Sequence, residues 1–120
     1  MRKILVVDDD ALVGRMLVRR LKRLLGDQHE VLQATGAREA RNMVVDDEAF
    51  VSVVSDTEMP EHDGTWLHGQ VHELLASRGG IFVPMSAGEP GWAVTYYRDH
   101  GGLKLWHKGD EIGPLVELLT

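Results

Sequence analysis

Asp8, Asp9 and Asp10 stand together directly after the apolar run Ile4 to Val7. Asp56 closes a second apolar run and is followed by Thr57, Glu58, Met59 and Pro60. A third run ends in Ser86-Ala87-Gly88, and a weaker one reaches Lys108. If these ends converge, several carboxylates, one hydroxyl and one ammonium share a small volume. Two carboxylates about 4 Å apart repel by about 4 kcal/mol at an effective dielectric of about 20, so stability alone explains such a cluster poorly. A divalent cation relieves the repulsion, and an all-oxygen donor set favours Mg²⁺ over softer metals. Mg²⁺ binds one or two carboxylates, keeps waters and leaves room for a phosphate oxygen. Ser86 and Lys108 can then hold further phosphoryl oxygens, and a central carboxylate can act as the nucleophile.

Each piece alone also has a plainer meaning. Asp10 fits best as the N-cap of the helix that follows, where an acid meets the positive helix end. Asp63-Gly64 reads as an ordinary loop. A single Ser or Lys after a strand is usually solvated. The joint placement of these groups at four strand ends is what favours chemistry.

The elements that position them follow from hydrophobic spacing. Ile4 to Val7, Phe50 to Val54 and Ile81 to Met85 are continuous β-prone runs, as buried parallel strands require. Ser52 and Pro84 interrupt two of these runs, and His29 to Ala34 and Leu103 to His107 are weaker strand candidates. Between them the period becomes helical. Val13, Leu17, Leu21 and Leu24 form one stripe, opposite Arg15, Arg19, Lys22 and Arg23. Ala37, Ala40 and Val44 form a second, and Leu67, Val71, Leu74 and Leu75 a third. Trp92 to His100 is a short fourth helix, and Ile112, Leu115, Val116 and Leu119 mark a fifth. Five strands alternating with five helices predict an α/β fold, a parallel sheet covered on both faces by right-handed crossovers. Ligands on such sheets sit at the carboxyl ends of the strands.

The 120 residues suffice for one compact core, so residues 1–120 are expected to form one domain. The net charge of −6 offers no basic face for nucleic acid. Without cysteine, disulfides, thiolate metal sites and thiol nucleophiles are excluded. Only four apolar residues follow Met1-Arg2-Lys3, too few for a signal-peptide core, and no later run approaches a membrane span. A cytoplasmic location without membrane contact is the expectation.

The sequence resembles the response-regulator receiver domains (CheY-like) of two-component signalling, over essentially its whole length. The resemblance is carried by Ile4-Leu5-Val6-Val7-Asp8-Asp9-Asp10, by Val53 through Gly64, by Ser86-Ala87 and by Lys108. The stretch from Asp56 through Met59-Pro60 to Asp63-Gly64 is its most specific part. The resemblance implies a doubly wound, flavodoxin-like sheet of strand order 2-1-3-4-5. It implies that Asp56 takes a phosphoryl group from a histidine kinase or a histidine phosphotransfer protein. It further implies that Asp9, Asp56 and the backbone carbonyl of Glu58 ligate Mg²⁺, with Asp8 acting mainly through a bound water. Ser86 would hydrogen-bond the phosphoryl group, Lys108 would pair with it, and Ala87 would keep access open. Such domains catalyse their own phosphorylation and dephosphorylation but are switches and are not usually classed as enzymes. An unidentified output partner, or a homodimer, would use the face made by the fourth helix, fifth strand and fifth helix.

Several positions depart from the family pattern. The residue after the lysine is Gly109 in place of the usual proline, which predicts a looser loop. Leu105 stands where an aromatic rotor is usual, and alternation points its neighbour Trp106 to the opposite face. Pro84 would remove a ladder hydrogen bond from a central strand. Glu58 and Gly88 occupy the two variable positions that tune phosphoryl lifetime in the family. These departures keep a pseudo-receiver, a constitutive interaction module, as the alternative. A haloacid-dehalogenase-type phosphatase matches Asp8 and Asp10 only superficially, and the chain is short for that class. His68 and His72 are four apart, a spacing that can clamp a metal, but a solvated helix face is the expected reading. The basic side of the first helix could dock a kinase, although solvation accounts for most such charges. Trp92, Tyr96 and Tyr97 are expected to divide between core and partner surface.

Overall fold

In the computed structural model, which describes residues 1–120, ten elements alternate along the chain. They are β1 (Arg2–Val7), α1 (Ala11–Leu25), β2 (His29–Ala34), α2 (Ala37–Asp46), β3 (Phe50–Asp56), α3 (Gly64–Ser77), β4 (Phe82–Ser86), α4 (Gly91–Asp99), β5 (Trp106–His107) and α5 (Gly113–Leu119). The strands pair in parallel in the order β2-β1-β3-β4-β5. This is the doubly wound order expected above. No helix is long and apolar enough to cross a membrane.

Both faces of the sheet are covered, which is why the central runs Ile4–Val7 of β1 and Val53–Val54 of β3 are apolar on both sides. Side chains alternate across β1, so Leu5 and Val7 face one core while Ile4 and Val6 face the other. The first core is roofed by α2, α3 and α4 through residues such as Ala40, Leu67, Val71 and Tyr97. The second is roofed by α1 and α5 through Leu17, Leu21, Leu25, Leu115 and Leu119.

Helix α1 corrects the expected stripe. It buries Gly14, Leu17, Val18, Leu21 and Leu25, while Leu24 is 53% and Val13 36% exposed. The helix is rolled so that Gly14 faces inward, against Gln33 and Asp8. A Cβ at that position would lie 2.8 Å from Gln33 Nε2 and 3.4 Å from the Asp8 Cβ. This approach seats α1 against the start of the site.

Pro84 lies inside β4, opposite Ser55 of β3, without breaking that pairing. Backbone groups alternate sides along a strand, and Ser86 turns its carbonyl to β5, where it accepts from Lys108 N at 2.9 Å. Pro84, two residues earlier, therefore faces β5 as well. There β5 pairs only with Met85 and Ser86, so no ladder donor is missing. The expected strand over Leu103 to His107 shrinks to Trp106–His107. Beside a residue without an N–H, a longer β5 would find no donor. Leu105 and Trp106 pack against opposite cores, as alternation requires.

Candidate functional site

The carboxyl ends of β1, β3, β4 and β5 meet at one edge of the sheet. Asp8, immediately after β1, is wholly buried. Its Oδ1 accepts from the Asp10 amide at 2.9 Å. Asp10 itself caps α1, accepting from the amides of Leu12 at 3.1 Å and Val13 at 3.2 Å. Asp9 is exposed. Asp8, Asp9 and Asp56 bring carboxylate oxygens within 4.8 Å of one another.

Asp56, the last residue of β3, is 7% exposed. Its Oδ1 accepts from the Thr57 amide at 2.9 Å and faces the Lys108 ammonium at 3.2 Å. Its Oδ2 takes part in neither contact. Thr57, fully buried, anchors the strand end by donating its hydroxyl to the Met85 carbonyl at 2.8 Å. The return of the chain into α3 is equally close. The Gly64 amide donates to the Thr57 carbonyl at 2.9 Å, and any Cβ at Gly64 would collide with the Asp56 carbonyl. Asp63 caps α3, accepting from the Trp66 amide at 3.0 Å and the Thr65 hydroxyl at 2.6 Å. The Asp-Gly pair is thus a helix cap joined to a close-approach glycine.

Lys108 follows β5 and also reaches Asp8, with its Nζ 2.8 Å from Oδ2. That oxygen is buried and no hydrogen bond of good geometry serves it. Burial pushes the Asp56 carboxyl up to about 6, against the pull of Lys108 and with Asp8 adding to the rise. Burial alone would lower the Lys108 ammonium, yet its contacts with Asp8 and Asp56 hold it above the usual lysine range. One cation is shared by two carboxylates, so the cluster retains unbalanced negative charge.

Ser86 is 5% exposed, and its Oγ accepts from the Gly88 amide at 3.2 Å. With Asp56, Lys108, Ala87 and Glu89 it lines a cleft of about 470 Å³, and Glu58 stands exposed on the same rim. Gly109, beyond Lys108, has φ +91°, which proline cannot adopt. The turn is closed by the Asp110 amide donating to the His107 carbonyl at 3.1 Å. The loop on the other side of the cleft is tied to β5 by Glu89 Oε1, 3.1 Å from His107 Nε2.

Two site features escaped the sequence reading. Gly14 and Gly64 read as helix and loop residues, and no local pattern shows that both brush the aspartates. The His68 expectation was wrong. That side chain is 3% exposed, with Nδ1 2.9 Å from the Tyr96 hydroxyl, because α3 turns this position onto α4. Trp92 is 48% exposed, Tyr97 is wholly buried and Tyr96 lies between.

No protein-family model matches the chain, and no curated protein matches it. Solved structures do. A response regulator receiver protein from Pseudomonas putida is 24% identical, with TM-score 0.77, covering 98% of this chain and 93% of that one. The receiver domain of a histidine kinase from Arabidopsis thaliana, solved with Mg²⁺ and BeF3⁻, is 21% identical, with TM-score 0.78, covering 98% and 86%. The chemotaxis protein CheY4 of Vibrio cholerae is 20% identical, with TM-score 0.76, covering 99% of each chain. These likenesses establish that the chain has the receiver fold.

Proposed function

We propose that this receiver-fold chain is a Mg²⁺-dependent phosphoacceptor switch in which Asp56 takes the phosphoryl group. The observation that carries the reading is the clustering of Asp8, Asp9 and Asp56 carboxylates, two of which, Asp8 and Asp56, share the single ammonium of Lys108. Two carboxylates on one half-buried ammonium, with a third beside them, leave a repulsion that stability alone does not call for.

The residues fit a hard cation. All available donors are carboxylate or carbonyl oxygens, and the buried Asp8 Oδ2 meets only the Lys108 ammonium. Asp8, Asp9, Asp56 and the backbone carbonyl of Glu58 would hold Mg²⁺. When bound, it would neutralise charge between the carboxylates and an incoming phosphate.

The chain's own groups account for the rest. Thr57 N and Lys108 occupy Asp56 Oδ1, which leaves Oδ2 as the nucleophile. Oδ2 forms the new P–O bond as the donor's P–N bond breaks, and the imidazole nitrogen keeps the electron pair. The donor is the phosphohistidine of a kinase or phosphotransfer protein. Lys108 offsets charge on the transferred group, and Ser86 donates its hydroxyl to one of its oxygens. Later attack by water on phosphorus would return Asp56 and release phosphate. The face formed by α4, β5 and α5 is the surface for an output partner or a second copy.

Leu105, half-buried where relatives have an aromatic, favours the second reading, a fold-only interaction module without phosphorylation. Intact mass after incubation with acetyl phosphate and Mg²⁺ separates the two. One added phosphoryl group, absent from Asp56→Asn, supports the switch. An unmodified wild-type mass supports the module, and catalytic turnover of the phosphodonor without adduct would point to a phosphatase.

A further inference from the structure

The seam between α3 and α4 holds polar groups that neither the core nor the phosphoacceptor site requires. His68 enters it from α3, with Nδ1 2.9 Å from the Tyr96 hydroxyl on α4. The His68 ring stands edge-on to Phe82, Tyr96 and Tyr97 at 5.1, 5.4 and 5.4 Å, and stacks on His72 at 4.4 Å. On the far side Tyr96 stacks on His100 at 4.1 Å. His72 is fixed in turn, since its Nδ1 lies 2.8 Å from the His68 carbonyl, which can only accept.

Little else holds α4 in place. Its wholly buried side chains are Ala93 and Tyr97 alone. The Tyr97 hydroxyl is buried without any partner. A buried hydroxyl without a partner has lost its hydration for nothing, so this seating of α4 is not one in which every polar group is satisfied. A helix with few anchors, one cross-helix hydrogen bond and one unmatched hydroxyl suits a two-position element. The loop that leads into it runs from Ser86 through Gly88 and Glu89, the rim of the phosphoacceptor cleft.

Resting on the phosphoacceptor reading above, we propose that His68 and Tyr96 are positioning residues that hold α4 in its unphosphorylated place. Movement of the Ser86–Pro90 loop on phosphorylation breaks or exchanges the His68 Nδ1–Tyr96 hydroxyl bond, letting α4 shift against α3. The pair takes the part for which Leu105 has neither a ring nor a hydroxyl. The output surface is then read through Trp92 and Val94, which α4 exposes.

The test is NMR on the isotopically labelled full chain, free and with Mg²⁺ and beryllofluoride, a stable mimic of the phosphoryl group on Asp56. The His68 imidazole and Tyr96 ring signals are expected to shift together with the Val94 amide, and none of them to move in Asp56→Asn. Tyr96→Phe removes the restraining bond, so it is expected to bind beryllofluoride about fivefold more tightly, the factor equivalent to about 1 kcal/mol. The proposal is overturned if Val94 shifts while both rings stay still, or if α4 is silent in a formed adduct. Equal or weaker binding by Tyr96→Phe overturns it too. If the wild-type protein forms no adduct at all, the phosphoacceptor reading itself fails and takes this one with it.

Discussion

The Lys108 ammonium lies 2.8 Å from Asp8 Oδ2, a carboxylate oxygen closed off from solvent and without any other close donor. The pair joins the end of β1 to the end of β5 across the sheet edge. In the metal-free protein it is the main compensation for a buried negative charge.

Removing Lys108 should therefore destabilise the metal-free protein. Breaking one partner out of a buried pair is unfavourable by about 3 kcal/mol, because the other charge stays buried. Urea unfolding of Lys108→Ala in EDTA should show this loss, and millimolar Mg²⁺ should restore part of it. A variant as stable as the wild type in EDTA would mean that Asp8 is balanced by other means.

Asp56→Asn should do the opposite while abolishing the adduct. Burial, with Asp8 adding to it, raises the folded carboxyl to about 6 from an ordinary value near 3.8. The folded state then binds the proton more tightly than the unfolded one. Stability falls as pH rises from about 4 to about 6, and stays lower above. Asn removes that penalty, a gain of about 1–2 kcal/mol at pH 7.5 after solvent screening at the cleft. Equilibrium unfolding in EDTA measures it, and a loss of stability would contradict the placement.

Mg²⁺ should bind weakly, because it dehydrates reluctantly and is completed by phosphate oxygens. Titration followed by NMR shifts at Asp8–Asp10 and Thr57 should lose its response in Asp9→Ala and keep it in His72→Ala. Retention in the first and loss in the second would relocate the metal.

Gly64→Ala should harm both fold and site. The added Cβ would meet the Asp56 carbonyl, which is backbone and cannot rotate away. Overpacking of this kind is unfavourable by about 1–3 kcal/mol. A lowered melting temperature with slower adduct formation from acetyl phosphate is the expected pair of results. Full stability with full reactivity would show that the close approach is dispensable.

His68 gives a stability change on acidification with the sign opposite to that of Asp56. Burial first, then the charges of His72 and His100, lower it to about 4 from an ordinary 6.5. The unfolded state binds the proton more tightly, so stability is full above pH 6.5 and is lost as pH falls toward 4. The titratable groups against the ring are Tyr96, Tyr97 and His72, with His100 beyond Tyr96 and Asp63 on the Tyr96 side. The loss amounts to no more than about 3 kcal/mol, and His68→Gln should flatten the difference between pH 7 and pH 5.

The order of elements was legible because it rests on local physics. Runs such as Ile4–Val7 and Phe50–Val54 are apolar on both faces only if both faces are covered, and that alone predicts a parallel sheet between helices. The candidate site was legible for the same reason, since strands laid in parallel bring Asp8, Asp9, Asp56, Ser86 and Lys108 to one edge. What escaped was decided by contacts between segments far apart in the chain. Helix α1 rolls toward Gly14 because Gln33 and Asp8 lie beneath it, and spacing within α1 cannot report them. His68 is core because Tyr96, 28 positions later, offers it a hydroxyl. Pro84 is harmless because β5 begins its pairing only at Met85, a fact of register between two strands. Periodicity carries the distribution of apolar residues along one element; the rotation of that element, and the partner that satisfies a buried polar atom, are set only when the elements pack.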